Sequence, residues 1–519
     1  MGKKCLFCIV LSVVVLSVLI AGCVQMDNTF EDKADVSGGE TSVEPAGPVK
    51  ITLLMPQHPS RHVLNEEDGF YKEIVKRLNI ELDINMVVGS DYQAKKNMII
   101  ASGGYPDIFC DETKNLVSYI AEGIIMDIKP LAEQYKGQDI LNALKDKKDR
   151  YSVSDSSGRL LGVPEINDVI WTNSLIIRKD WLNSLNLSVP QTMDELYQYL
   201  KRCKKSDLGG DGSTIPYATR DLSYIGIIES VTDNKNGNLA AWDRYEKQYV
   251  CDAISDQYKE GLKFLNKLYS EKLMDNEYAT TKTQQWEQKV VSGIVGLTYD
   301  NISRAVVFNY AWAQQDPNTT YEAMIVPPLK DSHGNQWHEM FSPVSQNVYA
   351  ISRKNKEIEK SIEFLNYFFT DEGATILNIG VEGITYEIGE SGKPQMLVGA
   401  EDAINSFNAP DTTSFVGYKT WQPKEMQAGD LYAPIKEFVA LYGNFETVAP
   451  PMVYTEEEMN IIGSATSIQK YVETSQNEFI MGGKSFEQWD EYVNKVKEMN
   501  IEEIIKVYNA VAKRFAEFK

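Results

Sequence analysis

Between residues 50 and 109 the apolar residues change period repeatedly, and this alternation restricts the fold more than any other feature of the chain. Residues 51–55 form a short apolar run. Tyr71, Ile74, Val75 and Leu78 then fall on one helix face. Leu82, Ile84, Met86 and Val88 alternate at period two, as in a half-buried strand, and Asp91 stands where it can cap a following helix. The run GGYPDIF at 103–109 closes that helix and opens a third strand. Strand, helix, strand, helix, strand predicts α/β layers with parallel strands.

The same grammar continues. Residues 158–164 read as a turn, a short apolar strand and a proline stop, and residues 169–177 as a second strand rich in β-branched and aromatic side chains. Thr192 and Glu195 have capping-box spacing, with Pro190 upstream. Leu196, Tyr199, Leu200 and Cys203 follow on one helix face. Near the C-terminus Trp489, Tyr492, Val493 and Val496 line one helix, and Ile501, Ile504, Ile505 and Tyr508 the next. Asn500 between them is a residue that tolerates the left-handed conformation at a helix end. A chain of 519 residues is too long for one ordinary core, so two or more substructures are expected.

The N-terminus is a targeting segment. Lys3 and Lys4 precede an apolar run, and small residues Ala21 and Gly22 lead to Cys23. That order is a secretory signal, and the cysteine directly after it resembles a bacterial lipobox. Residues 1–22 are then a lipoprotein signal peptide, and Cys23 becomes the acylated mature N-terminus. An uncleaved anchor is the other reading, since the run is near the lower length limit for a span. Both place the rest of the chain outside the membrane. Residues 23–48 are polar, with Gly38, Gly39, Pro45 and Pro48, and form a flexible tether.

Several function classes are disfavoured. A net charge of −22 argues against nucleic acid, whose binding is driven by Lys and Arg contacts to phosphate. After Cys23 only Cys110, Cys203 and Cys251 remain, without CxxC spacing, so neither a disulfide framework nor a zinc site is indicated. There is no GxSxG, P-loop, HExxH or glycine-rich dinucleotide turn. A glycosidase needs two facing carboxylates, and with 74 acidic residues their mere presence decides nothing. The chain is rich in aromatics, with 28 Tyr and 8 Trp. Such rings stack on sugars, although most of them in any protein are core.

Five stretches carry a resemblance. NSLIIRKDWL at 173–182 with PQTMDEL at 190–196, GGYPDIF at 103–109, the return strand ending at Asp300, SPVSQNVYAIS at 342–352 and NIGVEGITY at 378–386 resemble the family 1 solute-binding lipoproteins of ABC importers. The large oligosaccharide-binding Firmicutes members are nearest. The 378–386 run is the most specific, with Asn378 and Ile379 where Asn and Tyr are usual. The resemblance spans Cys23 to the end, weakest in the tether and at 387–450.

It implies an α/β, two-lobed periplasmic-binding-protein-like fold (type II), with lobes joined by hinge crossings and a ligand cleft between them. The expected lobes are 49–170 with 295–343, and 174–294 with 344–519. Ligand-binding candidates are Asp111 and Glu112 on the cleft wall, Trp171 before the first crossing, Trp242, Asp300, Glu382 and Tyr386. Asp111 and Glu112 also read as solvated loop carboxylates, and Trp171 as core. The loop at 206–216 matches one that binds calcium in many relatives. Here Gly209 replaces a ligand, the loop is shorter, and no acid precedes Ile215. No metal, cofactor or catalysis is expected. The expected partners are an oligosaccharide, ABC permease transmembrane subunits and, through the lipid anchor, the outer face of the bacterial cell membrane. A secreted carbohydrate-active enzyme and a sensor or adhesion lipoprotein are the alternatives.

Acyl chains on Cys23 would supply the membrane attachment. Cys23→Ser is therefore expected to leave the folded domain intact and release it from membranes. Cell fractionation checks this, and unchanged membrane association would favour the uncleaved span.

Overall fold

The computed structural model describes residues 47–57, 63–167, 172–337, 342–389, 394–397, 415–419, 433–442 and 449–518. The signal segment, Cys23, nearly all of the tether and Trp171 lie outside the described residues.

The first sheet follows the predicted grammar. Strands β1 (Val49–Gln57), β2 (Ile80–Val88) and β3 (Ile108–Glu112) pair in parallel, β1 lying between the other two. Helix Gly69–Leu78 connects β1 to β2 and buries Phe70, Tyr71, Ile74 and Leu78. It ends where Asn79 turns left-handed at φ 50°. The next helix, Gly89–Ala101, begins two residues before Asp91, which sits in its first turn rather than at its cap. There a carboxylate still favours the positive end of the helix dipole. Strands β4 (Val163–Asn167), β11 (Val344–Ile351) and β14 (Gly417–Lys419) complete the order β14-β4-β11-β3-β1-β2.

A second sheet has the order β10-β5-β9-β6. Its strands are β5 (Asn173–Arg178), β6 (Ile215–Tyr217), β9 (Val295–Asn301) and β10 (Ala323–Ile325). The Thr192 cap forms as predicted, its hydroxyl accepting from the Glu195 N–H. Glu195 reaches back to the Gln191 N–H, one residue before the cap. Two hairpins stand apart, β7 (Ala241–Asp243) with β8 (Gln248–Val250), and β12 (Tyr386–Ile388) with β13 (Pro394–Met396).

Strand pairing exchanges two segments relative to the sequence expectation. Residues 295–343 were expected with 49–170, yet β9 pairs with β5 from Asn173↔Asn301 to Ile177↔Leu297. Residues from 344 on were expected with 174–294, yet β11 pairs with both β3 and β4. Two glycines show the packing reason. A Cβ on Gly296 of β9 would lie 2.7 Å from the Trp181 ring, and one on Gly162 before β4 would lie 2.6 Å from Val348 of β11. Each strand fits its sheet because a large side chain closes over a missing one. Each sheet has its own core. Ile51, Phe109, Val348 and Phe368 belong to the first, and Trp181, Tyr199, Leu265 and Phe479 to the second.

The final helices belong mainly to the second core. Trp489–Glu498 and Ile501–Glu517 meet at Asn500, left-handed at φ 72° as its position suggested. The last turn also reaches back to the helix that precedes β4, where Tyr151 packs against Phe515 and Phe518 at centroid distances of 5.2 and 4.7 Å.

Beside the first sheet Asp111 of β3 is ion-paired with Lys96, both almost fully buried. Gln93 and Asn115 also donate to the carboxylate, so the pair is hydrogen-bonded as well as charged. Breaking such a pair from one side strands a buried charge. Lys96→Met is expected to lower stability by about 3–5 kcal/mol. Denaturant melts should show most of that loss recovered when Asp111→Leu is added.

Candidate functional site

The chain passes between the sheets at the end of β4 and again after β10, and the site is built where those passages meet the second sheet. β5 opens at Asn173, opposite Asn301 at the close of β9. β6 runs parallel to β9, so Thr219 and Arg220, just past it, emerge beside Asp300. Asp300 is 5% exposed and accepts from Arg220 Nε at 2.7 Å and from the Asn301 N–H at 2.7 Å. Arg304 Nε stands 3.8 Å away and also holds Glu287. The two guanidinium groups flank the buried Trp286 ring at 5.5 and 5.3 Å. Asp300 thus lies at the close of β9 with its charge already matched. Asn301 ties the passage down by donating to the Thr172 carbonyl.

Beside this cluster lies a small recess of about 20 Å³, lined by Ser174, Gly226, Glu229, Ser230, Pro328 and Trp337 among others. Ser230 is 8% exposed, and its hydroxyl has no hydrogen-bond partner. A buried hydroxyl left unmatched costs about 1–3 kcal/mol, which a ligand acceptor or donor would recover. Trp337 is held from behind, donating from Nε1 to the Tyr245 hydroxyl at 3.3 Å. Tyr245 donates to Asp331 at 2.5 Å, and Asp331 caps its own turn by accepting from the His333 and Asn335 N–H groups. Burial and the bond to Asp331 raise the Tyr245 hydroxyl above the ordinary tyrosine range, so it stays a donor. The ring face is therefore preorganised. A much larger recess, about 300 Å³, lies by Asp83, Asn85 and Tyr105, near the N-terminal end of β3 and away from the passages.

The structure disperses the other candidates. Asp111 is committed to the internal ion pair with Lys96. Glu112 is half exposed and paired with Lys114. Trp242 stands on the β7–β8 hairpin, edge-on to Tyr249 at 5.2 Å, and Tyr249 in turn bonds Asn509 of the last helix. Glu382 is exposed and Tyr386 buried, and burial raises the Tyr386 hydroxyl, with Glu382 adding to the effect. Their loop is locked by Thr385, whose hydroxyl donates to the Ile379 carbonyl and accepts from the Val381 N–H. Asp111 and Glu112, and Glu382 and Tyr386, meet as sequence neighbours. No hydrogen bond or ion pair among the described residues joins one pair to the other, to Trp242 or to Asp300. Trp337, Ser230 and Arg220 were not singled out in the sequence. Trp337 alone carried a signal, as a large aromatic in the polar stretch DSHGNQW.

The calcium loop does not fit its ion. Asp207, left-handed at φ 44°, accepts from the Gly212 N–H and the Thr214 hydroxyl. These bonds hold its carboxyl below the usual range. Gly209 offers no side-chain oxygen, and its N–H is bound to Thr214. Among the described residues the grouping with metal-ligand spacing lies elsewhere, at Asp233, Asp331 and His333. There Asp233 already accepts from Ser332 and Gln257.

The chain matches the family model for the bacterial extracellular solute-binding protein over residues 64–375. It is 25% identical over 389 residues to lipoprotein LipO of Bacillus subtilis, covering 72% of each chain. To the polygalacturonan/rhamnogalacturonan-binding protein YtcQ of the same organism it is 22% identical, over 99% of this chain and 100% of the relative. The structure superposes on the Streptococcus pneumoniae ABC-transporter substrate-binding protein FusA in complex with kestose. The TM-score is 0.72 at 17% identity, over 91% of this chain and 100% of that one. The fold is accordingly that of a two-lobed solute-binding protein. No helix among the described residues is long and apolar enough to cross a membrane.

Because the Asp207 carboxylate is spent on its own loop, millimolar calcium is expected to leave the melting temperature unchanged. A calcium-dependent rise abolished by Asp211→Ala would reverse this reading.

Proposed function

This chain belongs to the bacterial extracellular solute-binding protein family, and from that premise we propose that it captures an oligosaccharide for an ABC importer while anchored through Cys23. The observation that carries the proposal is the recess beside the passages, where the Trp337 ring and the unmatched Ser230 hydroxyl stand together. A sugar offers one apolar ring face and a rim of hydroxyls, and this pairing is complementary to both. The names of two relatives, one binding polygalacturonan or rhamnogalacturonan and one bound to kestose, support the same class of ligand.

In this reading the lobes are 48–167 with 344–419, and 172–337 with 433–518. The chain crosses between them near residues 168–172, near 326–343, and between 419 and 433. Ligand binding shifts an open–closed equilibrium about those crossings and presents the closed form to a membrane permease. The tether of residues 23–48 gives the domain reach from the membrane surface.

A thermal-shift screen against defined oligosaccharides tests the proposal, because a ligand bound only by the native state adds about 2.7 kcal/mol at one hundred times its Kd. Trp337→Ala is expected to weaken binding by about 1–3 kcal/mol while leaving the ligand-free melt nearly unchanged. A panel that produces no shift, or a variant with unaltered affinity, would count against it.

A further inference from the structure

The helix Ile501–Glu517 starts in the second core, to which Ile501 and Ile504 belong, and ends on a helix beside the first. That partner is Lys147–Ser152, which leads directly into Val153 of the first core. Tyr151 is fully buried there, covered by the Phe515 and Phe518 rings. Lys147 Nζ lies 5.2 Å from the Phe515 centroid and donates to the Ala516 carbonyl at 3.3 Å, one of the carbonyls that a helix end leaves unpaired. The Arg150 guanidinium lies 5.7 Å from the Phe518 centroid. Gly158, left-handed at φ 86°, lets the next turn close over the same ring, where a Cβ would come within 3.3 Å.

A second contact stands behind the first. Arg514 is ion-paired with Glu458 and donates to the Val453 carbonyl at 2.8 Å. Glu458 belongs to the helix Glu456–Ile462, which lies against Thr113–Ala121, and Leu116 and Ile120 of that helix are in the first core. The end of the chain therefore joins one core to the other without being one of the passages between the sheets. The contact is small, two rings on a third with two cations at the rim. It sits on the last turn of a helix, where opening costs least. Neither Phe515 nor Phe518 is part of either core, so the contact can release while both cores stay folded.

We propose that this last turn is a clasp, in which Phe515 and Phe518 grip Tyr151, hold the two cores in the arrangement seen here and restrict their motion about the passages between the sheets. Such a contact sets the population of other arrangements more than the stability of either core. A ligand that requires another arrangement has its apparent affinity reduced by the fraction of molecules whose clasp is open. The inference rests on the two-lobed fold and on no particular ligand, so its failure leaves the proposed function standing.

The test is a spin-label distance measurement on the full chain, without ligand. The labels replace the exposed Lys76 and Lys263, which lie on helices of the first and second cores. Phe515→Ala combined with Phe518→Ala is expected to widen the distance distribution about two-fold or more while changing the melting temperature little. Phe515→Leu combined with Phe518→Leu keeps apolar cover on Tyr151 and should widen it less. Lys147→Ala combined with Arg150→Ala leaves the three rings in place and should widen it in part. If the alanine pair at 515 and 518 does not fold, this rim variant decides by the same criterion. A distribution as narrow in the variants as in the native chain would overturn the inference, even where the melt falls, because a lowered melt alone is what simple packing produces.

Discussion

The pairing of β5 with β9 is the contact on which the rest of the structure depends. It sets Asn173 against Asn301, and so fixes where the chain enters the second sheet and where Asp300 comes to lie. The parallel addition of β6 to β9 then delivers Arg220 to Asp300. The antiparallel addition of β10 to β5 brings Pro327 and Pro328 back to the same end. Gly296 makes this arrangement possible by letting Trp181 close over the strand. A slip of one residue would reverse the faces of β9 and place the ring against a side chain.

Charge is handled differently around the two sheets. Asp111 and Lys96 neutralise one another beside the first, with amide donors completing the set. Around the second, Asp300 lies at the close of β9 but is matched by arginine, and Asp207 and Asp331 are consumed as turn caps. Glu229 is the carboxylate that lines the recess itself. Beside it stand an indole face and an unmatched hydroxyl, those of Trp337 and Ser230. The recess is organised from behind through Tyr245, so the polar loop that carries Trp337 is not free to collapse into it.

The aromatics divide by the same logic. Trp181, Trp286, Trp312 and Trp489 are buried and serve packing, and Trp286 also donates to Thr298. Trp242 packs its hairpin onto the last helix through Tyr249. Trp337 is placed differently, with one end fixed by a hydrogen bond and the ring lining a recess.

The sequence by itself determined the local elements. The helix at Gly69–Leu78, the alternation of β2, the Thr192 cap and the left-handed Asn500 all follow from periodicity and backbone preference, which act over a few residues. It also determined the membership of a family, through motifs whose spacing is local as well. Tertiary structure decided which sheet receives β9 and β11. All seven residues of β9 are buried, polar ones included, so no alternation marks one face and the pattern alone does not tell one partner from another. It decided the site for a related reason. Whether an acid is a ligand or half of an ion pair depends on the residue facing it, and Lys96 and Arg220 reach Asp111 and Asp300 across 15 and 80 positions of sequence. Ser230 and Trp337 come together only because a short helical turn and a passage between sheets converge in space, and no periodicity records that convergence.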